Sequence, residues 1–234
     1  MNMITPPAAL APDTAITVVL RDYQDRLVDK VRVALRSHMA VLMVAGTGSG
    51  KTVMFSYISK NAANRGKRIL ILAHRDTLIK QASRKLRDYG VQHGIIMAGF
   101  TPNPHRRVQV ASVQTIVRRL AAMAKRGDYF DIIVVDEAHL SAANSYMKVF
   151  AAFPKARILG VTGSPIRLDG KGLGRNAGCV YDTIVQDVTL KELIEDAYGE
   201  DPDAVRKGLA GKGPTLLARA AGEYSGQINK VERL

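Results

Sequence analysis

The chain has 234 residues, 47% of them hydrophobic, with 34 Lys+Arg against 21 Asp+Glu and a formal net charge of +13. That apolar content supports a real core and excludes a largely disordered chain, and the length allows one large α/β domain or one domain with a short appendage. Cys179 is the single cysteine, which excludes an intramolecular disulfide framework and a cysteine-based zinc site.

The charge is uneven. Residues 1–170 carry 25 Lys+Arg against 11 Asp+Glu, and residues 171–234 carry 9 against 10. A positive field confined to the first part fits either a polyanionic partner, most simply nucleic acid, or a basic surface that only keeps the protein soluble. The first 12 residues lack a basic stretch followed by a long apolar one, and no apolar run approaches the roughly 20 residues that span a bilayer. With the lone cysteine, this leads us to expect a cytoplasmic protein without a membrane partner.

In chain order, a Pro- and Ala-rich lead (1–14) is expected to be frayed and residues 16–20 to form a short strand. Arg21, Asp22, Tyr23 and Gln24 open an amphipathic helix with apolar positions at Leu27, Val28, Val31, Val33, Ala34 and Leu35. Tyr23 and Gln24 have two readings. They are ordinary helix-surface groups, or the amide pairs with N6 and N7 of adenine while the ring packs nearby.

Next comes an apolar run (39–44) that reads as a buried strand. It breaks into Ala45, Gly46, Thr47, Gly48, Ser49, Gly50, Lys51 and Thr52. Glycines here can take backbone angles closed to other residues, so successive N–H groups can turn inward around an anion where the following helix begins. In such a phosphate-binding loop Lys51 reaches the β- and γ-phosphates of a nucleotide, and the Thr52 hydroxyl ligates Mg²⁺. Residues 52–64 follow as a helix and 67–73 as a strand too continuously apolar to be half exposed. Strand, loop, helix, strand is the order of a parallel sheet with right-handed crossovers.

His74 and Arg75 sit where that second strand ends and a helix over about 77–89 begins. Ligands bind at this carboxyl edge of a doubly wound sheet, so Arg75 reads as a phosphodiester donor or as a solvated arginine at a helix start. Short strands are expected at 94–98 and 107–111, around a basic loop containing two prolines. Ser112, Gln114 and Thr115 then begin a helix reaching about 125. Their polar groups serve as helix caps or hold a nucleic-acid backbone. Residues 131–135 form a fifth strand ending in Asp136, Glu137, Ala138 and His139. Two carboxylates at the tip of a buried strand need a cation. Asp136 is placed to hold Mg²⁺ and Glu137 to orient and deprotonate water. His139 as a zinc ligand is disfavoured, because no second histidine lies near it. Residues 157–161 are read as the last core strand, ending at Thr162 and Ser164, and a Gly-rich stretch over 169–176 as a boundary. Three helices are expected beyond it, over about 190–197, 214–221 and 225–234.

Together these stretches resemble the first RecA-like lobe of a superfamily 2 helicase with a DEAH signature, similar to RecG-, UvrB-, UvsW- and restriction-subunit-like translocases. The resemblance spans about residues 18–195 and lies in six elements met in order: Arg21 to Gln24 for the Q motif, then 45–52, 72–78, 111–115, 136–139 and 162–165 for motifs I, Ia, Ib, II and III. It implies ATP and Mg²⁺ as cofactors. Adenine is then assigned to Tyr23 and Gln24, the phosphates to Gly46, Thr47, Gly48, Ser49, Gly50 and Lys51, and the metal to Thr52 and Asp136. Catalysis falls to Lys51, Asp136, Glu137 and His139. His74, Arg75, Ser112, Gln114 and Thr115 contact nucleic acid, DNA before RNA, and Thr162 and Ser164 couple nucleotide state to strand contacts.

Two departures stand out. Ala45 replaces the first glycine of motif I, and Gly163 sits in motif III where alanine is frequent. The family carries a second RecA-like lobe with an arginine finger, for which the chain has no room. The expected organisation is therefore a lead over 1–14, a RecA-like lobe over 15–170, and a connector with a helical tail over 171–234. That lobe is an ATPase completed by a second lobe or partner, or alternatively a single-lobe binding module with little turnover.

Overall fold

Strands of unbroken apolar residues are stable only when both faces of their sheet are covered. Four such strands give this fold its centre. A computed structural model of the chain describes residues 19–46, 48–163 and 172–187. The elements run α1 (Asp22–Ser37), β1 (Ala40–Val44), α2 (Lys51–Asn64), β2 (Ile69–Ala73), α3 (Asp76–Asp88), β3 (His93–Ile96), β4 (Val108–Ser112), α4 (Val113–Lys125), β5 (Ile132–Asp136), α5 (Asn144–Ala152), β6 (Arg157–Thr162) and β7 (Thr183–Val185). All seven strands are parallel, in the order β3-β4-β2-β5-β6-β1-β7.

The strand period of two divides the core. Met43, Ile69, Ile71, Val108, Val110 and Val134 face α1, α2 and α3. Leu70, Leu72, Ile133 and Val135 point the other way, to Ile116 and Met123 of α4 and Tyr146 and Val149 of α5. Most of these side chains are fully buried, each worth about 1.5–3 kcal/mol. Helices on both faces make the sheet doubly wound, as expected.

Three details differ from the sequence reading. Val33 is 61% exposed, because it lies two residues, about 200° of helix, from buried Val31. A helix not anticipated, α5, packs Tyr146, Val149 and Phe150 over the sheet. The sheet also extends past β6. Residues 172–187 return to β1, where Leu173, Cys179 and Tyr181 pack on Ala40, Leu42 and Val44, and β7 pairs with β1. Asp182 Oδ2 accepts from the Met39 and Ala40 N–H groups, and Asp187 pairs with Arg26 and Lys30 of α1. Tyr181 lies over Gly160, where a Cβ would come within 2.4 Å of its ring. Residues 16–18, and the three helices expected after residue 189, lie outside the described residues.

Candidate active site

Parallel strands deliver every following loop to one edge of the sheet. Here that edge gathers the loops after β1, β2, β4, β5 and β6. Gly48 (φ 86°) and Gly50 (φ 79°) both adopt left-handed backbone, which only glycine takes without strain. Gly50 has a second constraint, since a Cβ there would meet Gln24 Nε2 at 2.4 Å. Gly50 is also the N-cap of α2 and makes no side-chain cap, leaving the first-turn N–H groups and the positive end of the helix dipole facing the loop. Lys51 Nζ donates to the carbonyls of Ala45 (3.3 Å) and Gly46 (3.4 Å), so the ammonium lies across the loop. Thr52 stands beside it in the first turn of α2. Thr47 and Ser164 lie outside the described residues.

Gln24 is 5% exposed, so the helix-surface reading fails for it. Its Oε1 accepts from the Arg21 N–H (3.1 Å) and its Nε2 donates to the Ser49 carbonyl (2.9 Å), which also accepts from the Tyr23 hydroxyl (3.2 Å). The pair therefore clamps α1 to the phosphate-binding loop.

Asp136 ends β5 in register with Val161, next to Thr162, and the Ala45 N–H donates to the Thr162 carbonyl (3.0 Å). Burial, then the neighbouring Glu137 charge, raises the Asp136 pKa to about 6. Burial lowers the Lys51 pKa while the charges of Glu137 and Asp136 oppose that shift, so the three groups share one field. Among the described residues, Glu137 is the one non-glycine with positive φ (56°), a conformation costing about 1–3 kcal/mol that recurs at functional sites. Its N–H donates to Asp136 Oδ1 (3.1 Å), and its Oε2 lies 3.3 Å from His139 Nδ1. A half-buried acid that ionises reluctantly, beside a lysine and a glycine-rich loop at a helix N-terminus, fits a divalent cation bound with phosphate. Among the described residues no three His, Cys, Asp or Glu gather as a metal site of their own.

At the same edge, Gln114 Nε2 donates to the His74 carbonyl (3.3 Å) and its Oε1 accepts from the Ser112 hydroxyl (2.8 Å), joining the ends of β2 and β4. Ser112 occupies the N-cap position of α4 but makes no side-chain cap. Burial, then the Arg75 charge, holds the His74 pKa below its ordinary value, while Glu137 opposes. Arg75 and Gln114 are exposed, and Thr115 is half-buried. Sequence reasoning missed Tyr146. Its hydroxyl has no hydrogen-bond partner among the described residues, and burial, then the charges of Asp136 and Glu137, raises its pKa. The aromatic spacing of 146, 150 and 153 was the available signal.

The acid state makes a stability prediction. In metal-free buffer the unfolded chain ionises Asp136 near 3.8 and the folded chain near 6. The folded state thus holds the extra proton between those values, and its stability falls as pH rises through them, by about 3 kcal/mol in all. Asp136→Asn removes the effect. Urea unfolding in EDTA should find the variant close to the parent at about pH 4 and more stable at neutral pH, by up to about 3 kcal/mol. A parent more stable than the variant at neutral pH would contradict the assignment.

A family model described as type III restriction enzyme, res subunit, matches residues 17–167. IRC3 of Saccharomyces cerevisiae, named as an ATP-dependent helicase, is 32% identical over 199 residues, covering 77% of this chain and 28% of that protein. An endonuclease subunit of the type I restriction enzyme EcoAI of Escherichia coli is 29% identical over 189 residues, covering 76% of this chain and 23% of the other. The chain thus spans about a quarter of the length of these two curated relatives. The UvsW helicase of bacteriophage T4 superposes with a TM-score of 0.58 at 18% identity, over 71% of this chain and 59% of that one, a likeness of fold. With this match over well over half of its length, the chain belongs to the family of type III restriction enzyme res subunits, and its fold is that of the first RecA-like lobe of superfamily 2 helicases.

Proposed function

We propose that this lobe binds ATP·Mg²⁺ and the backbone of nucleic acid along the carboxyl edge, and hydrolyses ATP when a second RecA-like lobe, in a longer chain or from a partner, completes the site. The observation that carries this reading is the shared field of Lys51, Asp136 and Glu137 beside a left-handed glycine loop. Lys51 and the loop N–H groups would hold the phosphates, and Thr52 with Asp136 would hold Mg²⁺, whose chemistry is to neutralise charge on the β- and γ-oxygens. Glu137 orients and deprotonates water, with His139 against its carboxylate. Tyr23 and Gln24 report the adenine end through the clamp on Ser49. DNA is favoured because the EcoAI relative belongs to a restriction enzyme, and a reducing cytoplasm is the setting we assign.

The test is nucleotide binding and ATPase activity, each measured with and without single- and double-stranded DNA and RNA. Arg75→Ala should weaken binding to unrelated sequences alike and reduce the steepness of its salt dependence by about one counterion. Loss of affinity for one sequence alone would show base reading instead. Failure to bind ATP·Mg²⁺ at all would remove the proposal.

A further inference from the structure

On the α4 face of the sheet, a cavity of about 380 Å³ opens between the C-terminal half of α4 and the loop joining β3 to β4. That volume falls in the range of small-molecule sites, about 300–1,000 Å³. Buried Ile96, Met123 and Phe130 form its inner wall, and Arg68, Arg119 and Arg126 line its more open part. Gln109 also lines it at 2% exposure. Its Nε2 donates to the carbonyls of Asn103 (2.7 Å) and Arg106 (2.9 Å), fastening the basic loop, while its Oε1 has no hydrogen-bond partner among the described residues. Gly94 pairs with Gln109 in register, and a Cβ there would lie 2.4 Å from that oxygen. The strand is thus bare where the amide sits.

The arginines differ in what they already hold. Arg68 donates to the carbonyls of Tyr129 and Pro104 and stacks on the Tyr129 ring, 5.4 Å from its centroid. Arg126 pairs with Asp128 (2.6 Å). Arg119 has no partner among the described residues. An apolar wall, a buried acceptor lacking a donor and a guanidinium rim complement a planar ring that bears an N–H and carries a phosphate.

A route leads there from the carboxyl edge. Gln114, Arg118, Ala121 and Lys125 are exposed at the i, i+4, i+7 and i+11 positions of α4, so one exposed stripe, basic at Arg118 and Lys125, runs the length of the helix. Its 13 residues span about 20 Å, which a helical strand covers in about six nucleotides at roughly 3.4 Å each.

Resting on the nucleic-acid reading above, we infer that a single strand leaving the carboxyl edge follows α4 and seats a base in this cavity. Ala122, exposed and lining the cavity, allows it to be filled without changing charge. Binding should be compared for strands of about five and about fifteen nucleotides, by fluorescence anisotropy at fixed salt. Ala122→Trp and Arg119→Gln should each weaken the longer strand at least about fivefold and leave the shorter one, ATP affinity and thermal unfolding unchanged. An unaltered longer-strand affinity in Ala122→Trp overturns the proposal even if Arg119→Gln weakens it, because charge alone then explains the stripe. Equal losses for both lengths also overturn it. Absence of binding at either length in the parent removes the nucleic-acid reading and this inference with it. A wild-type check needs no variant: a photoreactive base near the far end of the longer strand should crosslink to residues 119–130, and crosslinks confined to the carboxyl edge would overturn the seat in the cavity.

Discussion

Glu137→Gln should leave ATP·Mg²⁺ affinity within about twofold of the parent and lower turnover by about 10²–10⁴, whereas Lys51→Ala should abolish binding. The amide keeps the size and backbone position of the carboxylate and loses its ability to take a proton. The N–H of Glu137 that donates to Asp136 Oδ1 belongs to the main chain and survives the substitution. The lysine is different, since it lies across the Ala45 and Gly46 carbonyls, and its removal takes away the cation that the phosphates replace those carbonyls to reach. Equilibrium nucleotide binding and single-turnover hydrolysis, run in parallel on both variants and in the presence of a second lobe, separate the two roles. A Gln variant with lost affinity would place Glu137 in the clamp rather than on the water.

Turnover by the isolated lobe should be slow, and a second RecA-like lobe supplied in the same tube or the same chain should raise it by about 10³–10⁵, or about 4–7 kcal/mol of barrier. Phosphoryl transfer to water develops charge on the γ-phosphate from the side facing away from the clamp. Lys51, Thr52 and Asp136 all stand on the clamp side, after β1 and β5. Rapid hydrolysis by verified monomers of this chain would show that an opposing cation is already present. No hydrolysis with any second lobe or nucleic acid would favour a binding module instead.

Most of this arrangement was legible in the sequence because the elements that form it are locally unambiguous. The continuous apolar runs of β1, β2, β5 and β6 leave little choice but buried parallel strands, and the polar residues at their ends mark one edge. What escaped were features decided by distant partners. β7 has three residues, too few for a pattern, and exists because β1, some 140 positions earlier, offers it a ladder. α5 is anchored by three buried side chains in nine residues, a weak period beside Ala-rich flanks. The Gln24 amide could be placed on a helix by spacing, but its partner is a carbonyl 25 residues away. Only tertiary packing reveals that it holds the loop. Val33 shows the converse error, in which an apolar residue in an apolar-rich helix was assigned inward without regard to its angle from Val31.

The return of residues 172–187 to β1 determines where this lobe can be cut. A recombinant piece ending at the Gly-rich stretch near residue 170 would strip β7 and Tyr181 from β1 and leave a row of unpaired N–H and C=O groups along Ala40–Val44. An exposed, flat, apolar strand edge is a template for another molecule's strand. Such a piece would self-associate through the very strand that carries the phosphate-binding loop, and its nucleotide affinity would then depend on protein concentration. Extending it to Asp187 keeps the ladder closed and adds the carboxylate that ties this segment to Arg26 and Lys30.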